Sequence, residues 1–231
     1  MELVPELYPG WIVRVYYDLE PGSSLHQDLC SLACSNPNLD ICYVKNLPGQ
    51  TDIRNVFAMN WRFFPTIDPS VDLFVSRDLD SRINRREAAA VKAGLESSHH
   101  FHFMRDHPAH SIEILGSGWG VSLGTQDSHA RQFMVDAFRA ASKDKLFWAA
   151  REAYGPDQGF LKMFVWPWGK WSAISHDAYS CKRFPRTSPF PTRREEGANN
   201  FVASVVETNG VLRQECPLSC RPKLHKDWLL C

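Results

Sequence analysis

Apolar positions along the chain follow two spacings, and together they lay out the elements. Runs rich in β-branched and aromatic residues, WIVRVYYD (Trp11 to Asp18) and LDICYVKN (Leu39 to Asn46), predict strands, with a helical or loop segment through Cys34 between them. Asp52 to Phe64 carries Val56, Phe57, Met59, Asn60 and Phe63 near helical spacing and stops at Pro65, which predicts a helix. Val71, Leu73, Phe74 and Val75 form a short apolar run that reads as a buried strand of a parallel sheet. RREAAAVKAGLES, Arg85 to Ser97, predicts an amphipathic helix with Gly94 as its one weak point.

The second half is less regular. Phe101 to His110 predicts a short strand running into a proline turn, and ILGSGWGVSLG, Ile114 to Gly124, a glycine-punctuated loop with Trp119 at its centre. Helices are expected over His129 to Ala141 and Asp157 to Phe164, and a last strand within Lys170 to Tyr179. From Cys181 onward proline and arginine dominate, and no packed element is expected before Phe201 to Glu207. Strands alternate with helices up to about residue 100, which predicts an α/β domain, a mostly parallel sheet covered by helices.

Composition narrows the partners. At 231 residues and 44% apolar content the chain can bury a substantial core in one domain. With 26 basic and 26 acidic residues it carries no overall field for nucleic acid or an anionic membrane, so any anionic ligand is small and held locally. No stretch reaches the roughly 18 apolar residues of a membrane span. The opening MELVPELYPGW has no basic region followed by an apolar segment, so no signal is read in the chain as given.

Seven cysteines suggest an oxidising compartment. At least two of Cys181, Cys216, Cys220 and Cys231 are expected to pair, because a proline-interrupted tail with little apolar content needs a covalent tie. His225 among the tail cysteines allows a zinc site, which the irregular spacing after Cys220 opposes. Inert thiols in a reducing compartment are the remaining alternative.

The apolar strand ending at Val75 leads into Asp78 and Asp80. If the strand continues, both carboxylates point the same way and repel unless a cation or a proton lies between them. Ligands of open parallel sheets sit beyond the carboxyl ends of strands, where such a pair can hold Mg²⁺ or Mn²⁺. A solvated turn capping the next helix is the plainer reading.

Four runs taken in order make the pattern more specific: WRFFPTIDPSVDLFVSRDLDSRINRREAAAVKAGL, FHFMRDHPAHSIEILGSGWG, YGPDQGFL and ISHDAYSC. Together they resemble a family of GT-A-type glycosyltransferases in which an R-D-x-D-S-R segment supplies the D-x-D motif. The resemblance extends from YPGWIVRVYYD to the cysteine-rich tail. It implies a GT-A-like domain over residues 1–210 with the tail, 211–231, packed on it. It also implies a nucleotide-sugar donor, a UDP-sugar, with Mn²⁺ or Mg²⁺ as cofactor, and transfer to a hydroxyl of a glycan or other acceptor.

Carried onto this chain, the resemblance implies metal ligation by Asp78, Asp80 and His176. Donor binding falls to Arg62, Arg77, Ser81, Arg82 and Gln158, and catalysis to Asp157, as base or as stabiliser of an oxocarbenium-like transition state. Donor-sugar or acceptor contacts fall to Asp106, His107, Gly118 and Trp119. Such enzymes usually open with a further strand and helix, a unit this chain is expected to lack. A secretory lumen, Golgi or ER, is expected if a preceding segment carries a signal or anchor, and the cytoplasm otherwise. Two other functions fit parts of the pattern. A phosphotransferase using the first aspartate as nucleophile wants a hydroxyl where Arg82 stands. A non-catalytic descendant would bind nucleotide or glycan without turnover.

Overall fold

The computed structural model describes residues 2–47, 52–124, 128–143, 155–184, 186–195, 200–205 and 214–231. Helix α1 (Val4–Leu7) opens with Pro5 in its first turn, where a missing N–H costs nothing. Strands β1 (Val13–Tyr17) and β2 (Leu39–Tyr43) pair in parallel, joined by α2 (Ser24–Ser35), whose cap Ser23 accepts from the His26 amide. The helix predicted over Asp52 to Phe64 shrinks to α3 (Ala58–Trp61) and a 3₁₀ turn, Phe64–Ile67. The Trp61 indole N–H bonds to the carbonyls of Ile53 and Val56, so those carbonyls are satisfied without a helix.

Strand β3 (Leu73–Ser76) leads to α4 (Arg85–Leu95), capped by Asn84, and then to β4 (Phe101–Arg105) and β5 (Trp119–Ser122). Helix α5 (His129–Ala141) is capped by Ser128. Helix α6 (Pro156–Phe160) runs on through a π-helical stretch, Leu161–Val165, and a last turn, Trp166–Gly169. β6 (Ala173–Asp177) and β7 (Thr187–Ser188) follow.

Five strands form one sheet in the order β3-β5-β4-β6-β7, while β1 and β2 form a separate two-stranded sheet. The pairs β4–β6 and β6–β7 are parallel, but β5 runs antiparallel to both β3 and β4. The fold is α/β as expected, yet the sheet is mixed where a mostly parallel one was predicted. The difference lies in β5, which occupies part of the predicted loop. Gly120 within it and Gly118 just before it serve close backbone approach: a Cβ on Gly120 would come within 2.6 Å of the Phe74 carbonyl oxygen, and one on Gly118 within 2.9 Å of that of Met104.

Alternation along β4 sends Phe101 and Phe103 into one apolar cluster and Met104 into another, so the sheet separates two layers. The first, with Phe63, Trp119, Met134 and Phe160, is covered by α5 and α6. The second contains Val4, Tyr8, Val91 and Phe190 together with Cys216 and Cys231 of the tail. Disulfides join Cys181 to Cys220 and Cys216 to Cys231, as a tail poor in apolar residues requires, while Cys30, Cys34 and Cys42 are free thiols. Of the element predicted over Phe201 to Glu207, the last two residues lie outside the described ones, and Val205 forms an isolated antiparallel bridge with Ser81. Among the described residues no helix is long and apolar enough to cross a membrane.

Candidate functional site

Strand β3 ends at Ser76, and the chain then turns, with the Ser81 amide donating to the Asp78 carbonyl at 3.3 Å. Asp78 and Asp80 therefore lie on a turn, and the strand alternation that would put them on one face has already ended. Asp80 is exposed, and Asp78 is partly so. The cation beside Asp78 is Arg62, at the end of α3: its Nη1 donates to Asp78 and its Nη2 to Asp157 Oδ2 at 2.9 Å. Arg62 Nε donates to the Met59 carbonyl at 3.0 Å, which fixes where the guanidinium points.

Asp157 opens α6. Gly155, with φ of 103°, makes the sharp entry that an L side chain would resist, and Pro156 starts the helix. The carboxylate is 1% exposed, and its Oδ1 has no protein partner. The adjacent Gln158 amide donates to the Ile114 carbonyl at 2.8 Å and accepts from the Gly116 amide at 2.9 Å. Ser76 Oγ donates to the Gly116 carbonyl at 2.5 Å, tying this loop to the end of β3. Four sequence-distant segments thus meet at Arg62, Asp78, Gly116, Asp157 and Gln158. Arg62, Asp78, Asp157 and Gln158 are among the residues singled out in the sequence, while Gly116 is one of several glycines around Trp119 that local spacing does not tell apart.

Other expected site residues lie elsewhere. His176 is buried on the face of the sheet beneath α4, with Nδ1 2.7 Å from His102 Nε2 and its ring against Phe190. Its ring meets those of His102 and Phe190. Burial, then the nearby Arg86 charge, pushes its pKa down to about 4.

Asp106 has no exposed surface and receives two bonds of 2.8 Å from Arg86, one of 2.8 Å from Arg194 and one of 2.9 Å from the Val202 amide. Burial alone would raise its pKa, but the two guanidiniums outweigh it and hold the carboxyl below its ordinary range. It is a buried clamp between distant segments. Trp119, also fully buried, packs on Phe63 and Phe74 and offers no face to a ligand. Gly118 serves the β4–β5 approach.

His107 is partly exposed and packs against Phe201, the rings tilted by 38° with centres 4.6 Å apart. His110 packs beside both, close enough to feel the Asp78 and Asp106 charges, and burial pushes its pKa down to about 4. Arg77 faces inward, pairing with Glu87 and donating to the carbonyls of Ser81 at 3.1 Å and Arg82 at 2.8 Å. The Arg82 amide donates to the Ser204 carbonyl at 2.9 Å.

Among the described residues no three His, Cys, Asp or Glu side chains stand close enough together to hold a metal ion. The donor set is two carboxylates on one turn, Asp80 exposed to solvent. That set suits Mg²⁺ or Mn²⁺ shared with substrate phosphates and water, a mode that needs only one or two protein carboxylates.

No protein-family model matches the chain, and no curated protein matches it. Among solved structures it is similar to a glycosyltransferase involved in the glycosylation of the major capsid of PBCV-1. The two are 16% identical over 73% of this chain and 82% of the other, with a TM-score of 0.42. At that identity and score the likeness assigns neither residues nor chemistry.

Proposed function

We propose that the protein is a glycosyltransferase that moves a sugar from a nucleotide-sugar donor, a UDP-sugar, to a hydroxyl of a glycan or other acceptor. The observation that carries this reading is the meeting of Arg62, Asp78, Asp157 and Gln158, drawn from segments far apart in sequence. Glycosyl transfer needs negative charge compensated at the leaving diphosphate, and an anion or base near the carbon that becomes oxocarbenium-like. Asp157 suits the second of these needs, because its Oδ1 is buried and unpartnered, free to take an acceptor proton or face positive charge, while Arg62 keeps Oδ2 in place. Arg62 also brings a cation toward the turn where the diphosphate would lie. Asp78 and Asp80 would hold Mn²⁺ or Mg²⁺, which when bound neutralises the diphosphate. Gln158 fixes the Ile114–Gly116 loop against the start of α6, and so shapes the wall beside the sugar.

A second reading, binding of nucleotide or glycan without turnover, is favoured by one feature. Arg62 engages both Asp78 and Asp157, so neither carboxylate is fully free. Two variants separate the readings. Asp80→Asn is expected to lose Mn²⁺-dependent UDP binding in calorimetry, because the amide keeps the shape but not the charge. Asp157→Asn is expected to keep UDP affinity within a few-fold while turnover of nucleotide sugars falls by roughly 10² or more. Binding without turnover of any UDP-sugar by the parent chain would establish the second reading. Unchanged Mn²⁺-dependent binding in Asp80→Asn would return the two aspartates to an ordinary solvated turn. We propose a secretory lumen, Golgi or ER, for a protein in which a preceding segment carries a signal or anchor, a reading that the two disulfides support.

A further inference from the structure

The turn carrying Asp78 and Asp80 hangs from a buried ion pair that the proposed chemistry does not use. Glu87 is the third residue of α4, where a glutamate ordinarily folds back to the amide of its own cap residue. Asn84 does its half, its Oδ1 accepting from the Glu87 amide at 2.8 Å. The Glu87 side chain instead leaves the helix: its Oε1 accepts from the Tyr8 hydroxyl at 2.9 Å and pairs with Arg77 Nη1. The residue is 1% exposed, and its Oε2 has no partner. A buried carboxylate satisfied on one oxygen is a costly arrangement, so stability alone is a poor reason for the chain to hold it.

What the pair does hold is the turn. The same Arg77 guanidinium donates through Nη2 to the carbonyls of Ser81 and Arg82. On the other side of the turn the Arg82 amide donates to Ser204, and Ser81 bridges to Val205. With these carbonyls drawn inward, Leu79, 84% exposed, and Asp80 are left projecting outward. We infer that Glu87 is a positioning residue for the D-x-D turn: through Arg77 it fixes the Ser81 and Arg82 carbonyls, and so the direction in which Asp78 and Asp80 present their carboxylates. Its value for catalysis rests on the glycosyl-transfer reading, while its hold on the turn does not. Burial, followed by the Glu87 charge, pushes the Tyr8 phenol far above its ordinary pKa, so Tyr8 remains a donor to that carboxylate across the physiological range.

Hydrogen exchange on the full chain, followed by mass spectrometry, tests this with Glu87→Gln and Arg77→Met. Glutamine keeps the shape of Glu87 and removes its charge. Amides of the turn, Ser81 and Arg82 among them, are expected to exchange about tenfold faster or more in both variants, with β4 and β6 unchanged. The double variant is expected to exchange no faster than the faster single one, because both break one linkage. Calorimetry with UDP and Mn²⁺ is expected to show affinity reduced about tenfold, an effect on KM more than on kcat. Unchanged exchange in the turn in both single variants overturns the inference. So does acceleration spread equally over β4 and β6, the mark of general destabilisation. A parent chain that binds no UDP with Mn²⁺ would sink the functional proposal, and the exchange result would still decide the role of Glu87.

Discussion

Gly116→Ala places a methyl group where Arg62, Asp157 and Gln158 meet. Its Cβ would lie 2.7 Å from Asp157 Oδ2, 2.9 Å from the Gln158 side-chain amide and 3.1 Å from Arg62 Nη2. Gly116 does not have the left-handed φ of Gly155, so the backbone accepts alanine and the effect is crowding alone. Ordinary contacts to carbon begin near 3.5 Å, so the carboxylate has to withdraw by roughly 0.5–1 Å. It is buried and tied to Arg62, so both groups move together. Overpacking of this kind costs about 1–3 kcal/mol, or a fall in Tm of roughly 2–10 °C for a domain of this size. A displacement near 1 Å at a reacting group costs about 10² in turnover. The assays are UDP-sugar turnover, UDP affinity and a thermal melt, with affinity expected within a few-fold because Asp80 is untouched. Gly118→Ala is the comparison: its Cβ meets the Met104 backbone oxygen at 2.9 Å, so it should lower Tm further. Wild-type turnover and melting in Gly116→Ala would refute the convergence of these residues as the working site.

Acid should destabilise the protein through His110 and His176, whose folded pKa values are lowered from 6.5 to about 4. Between those values the unfolded chain binds more protons, so stability is full above about pH 7 and falls as pH drops toward 4, by about 2 kcal/mol for each histidine at pH 5. Equal urea midpoints at pH 7 and pH 5 would contradict this. Asp106→Asn leaves Arg86 and Arg194 buried without their anion and should cost about 3–5 kcal/mol in chemical denaturation; a loss below about 1 kcal/mol would mean that the clamp is not a stabilising centre. Mass spectrometry without reduction should recover peptides joining Cys181 to Cys220 and Cys216 to Cys231, with Cys30, Cys34 and Cys42 alkylated; alkylation of all four tail cysteines would remove the disulfides and the argument for an oxidising compartment.

Local periodicity was enough for some elements and not for others. Helix α5 was readable because its apolar stripe needs no help from outside, and its limits, His129–Ala141, are those predicted. β5 was missed because a strand squeezed between two others trades side chains for close backbone approach, and its glycines then look like a loop. At the site, Arg62, Asp78, Asp157 and Gln158 could be singled out by resemblance, but that Arg62 joins two of them could not. That bridge joins residues 95 positions apart and leaves no trace in local spacing. Asp106, Trp119 and His176 are all buried in the fold, which their local sequence does not show. Each lies in a motif-like run, and burial decides whether such a residue meets a ligand or the core.

Arg62 and Asp157 are 95 positions apart, and Asp106 receives bonds from Arg194 and Val202, 88 and 96 positions away. Contacts between such distant residues return nothing until large loops have closed, so they are expected to form late in folding, after α5 and the β4–β5 pairing. A refolding chain should therefore regain its helical signal before the Arg62–Asp157 bridge and the Asp106 clamp form. A mutation that slows the docking of the final third would then leave a population that looks folded by circular dichroism while these long-range ion pairs are absent.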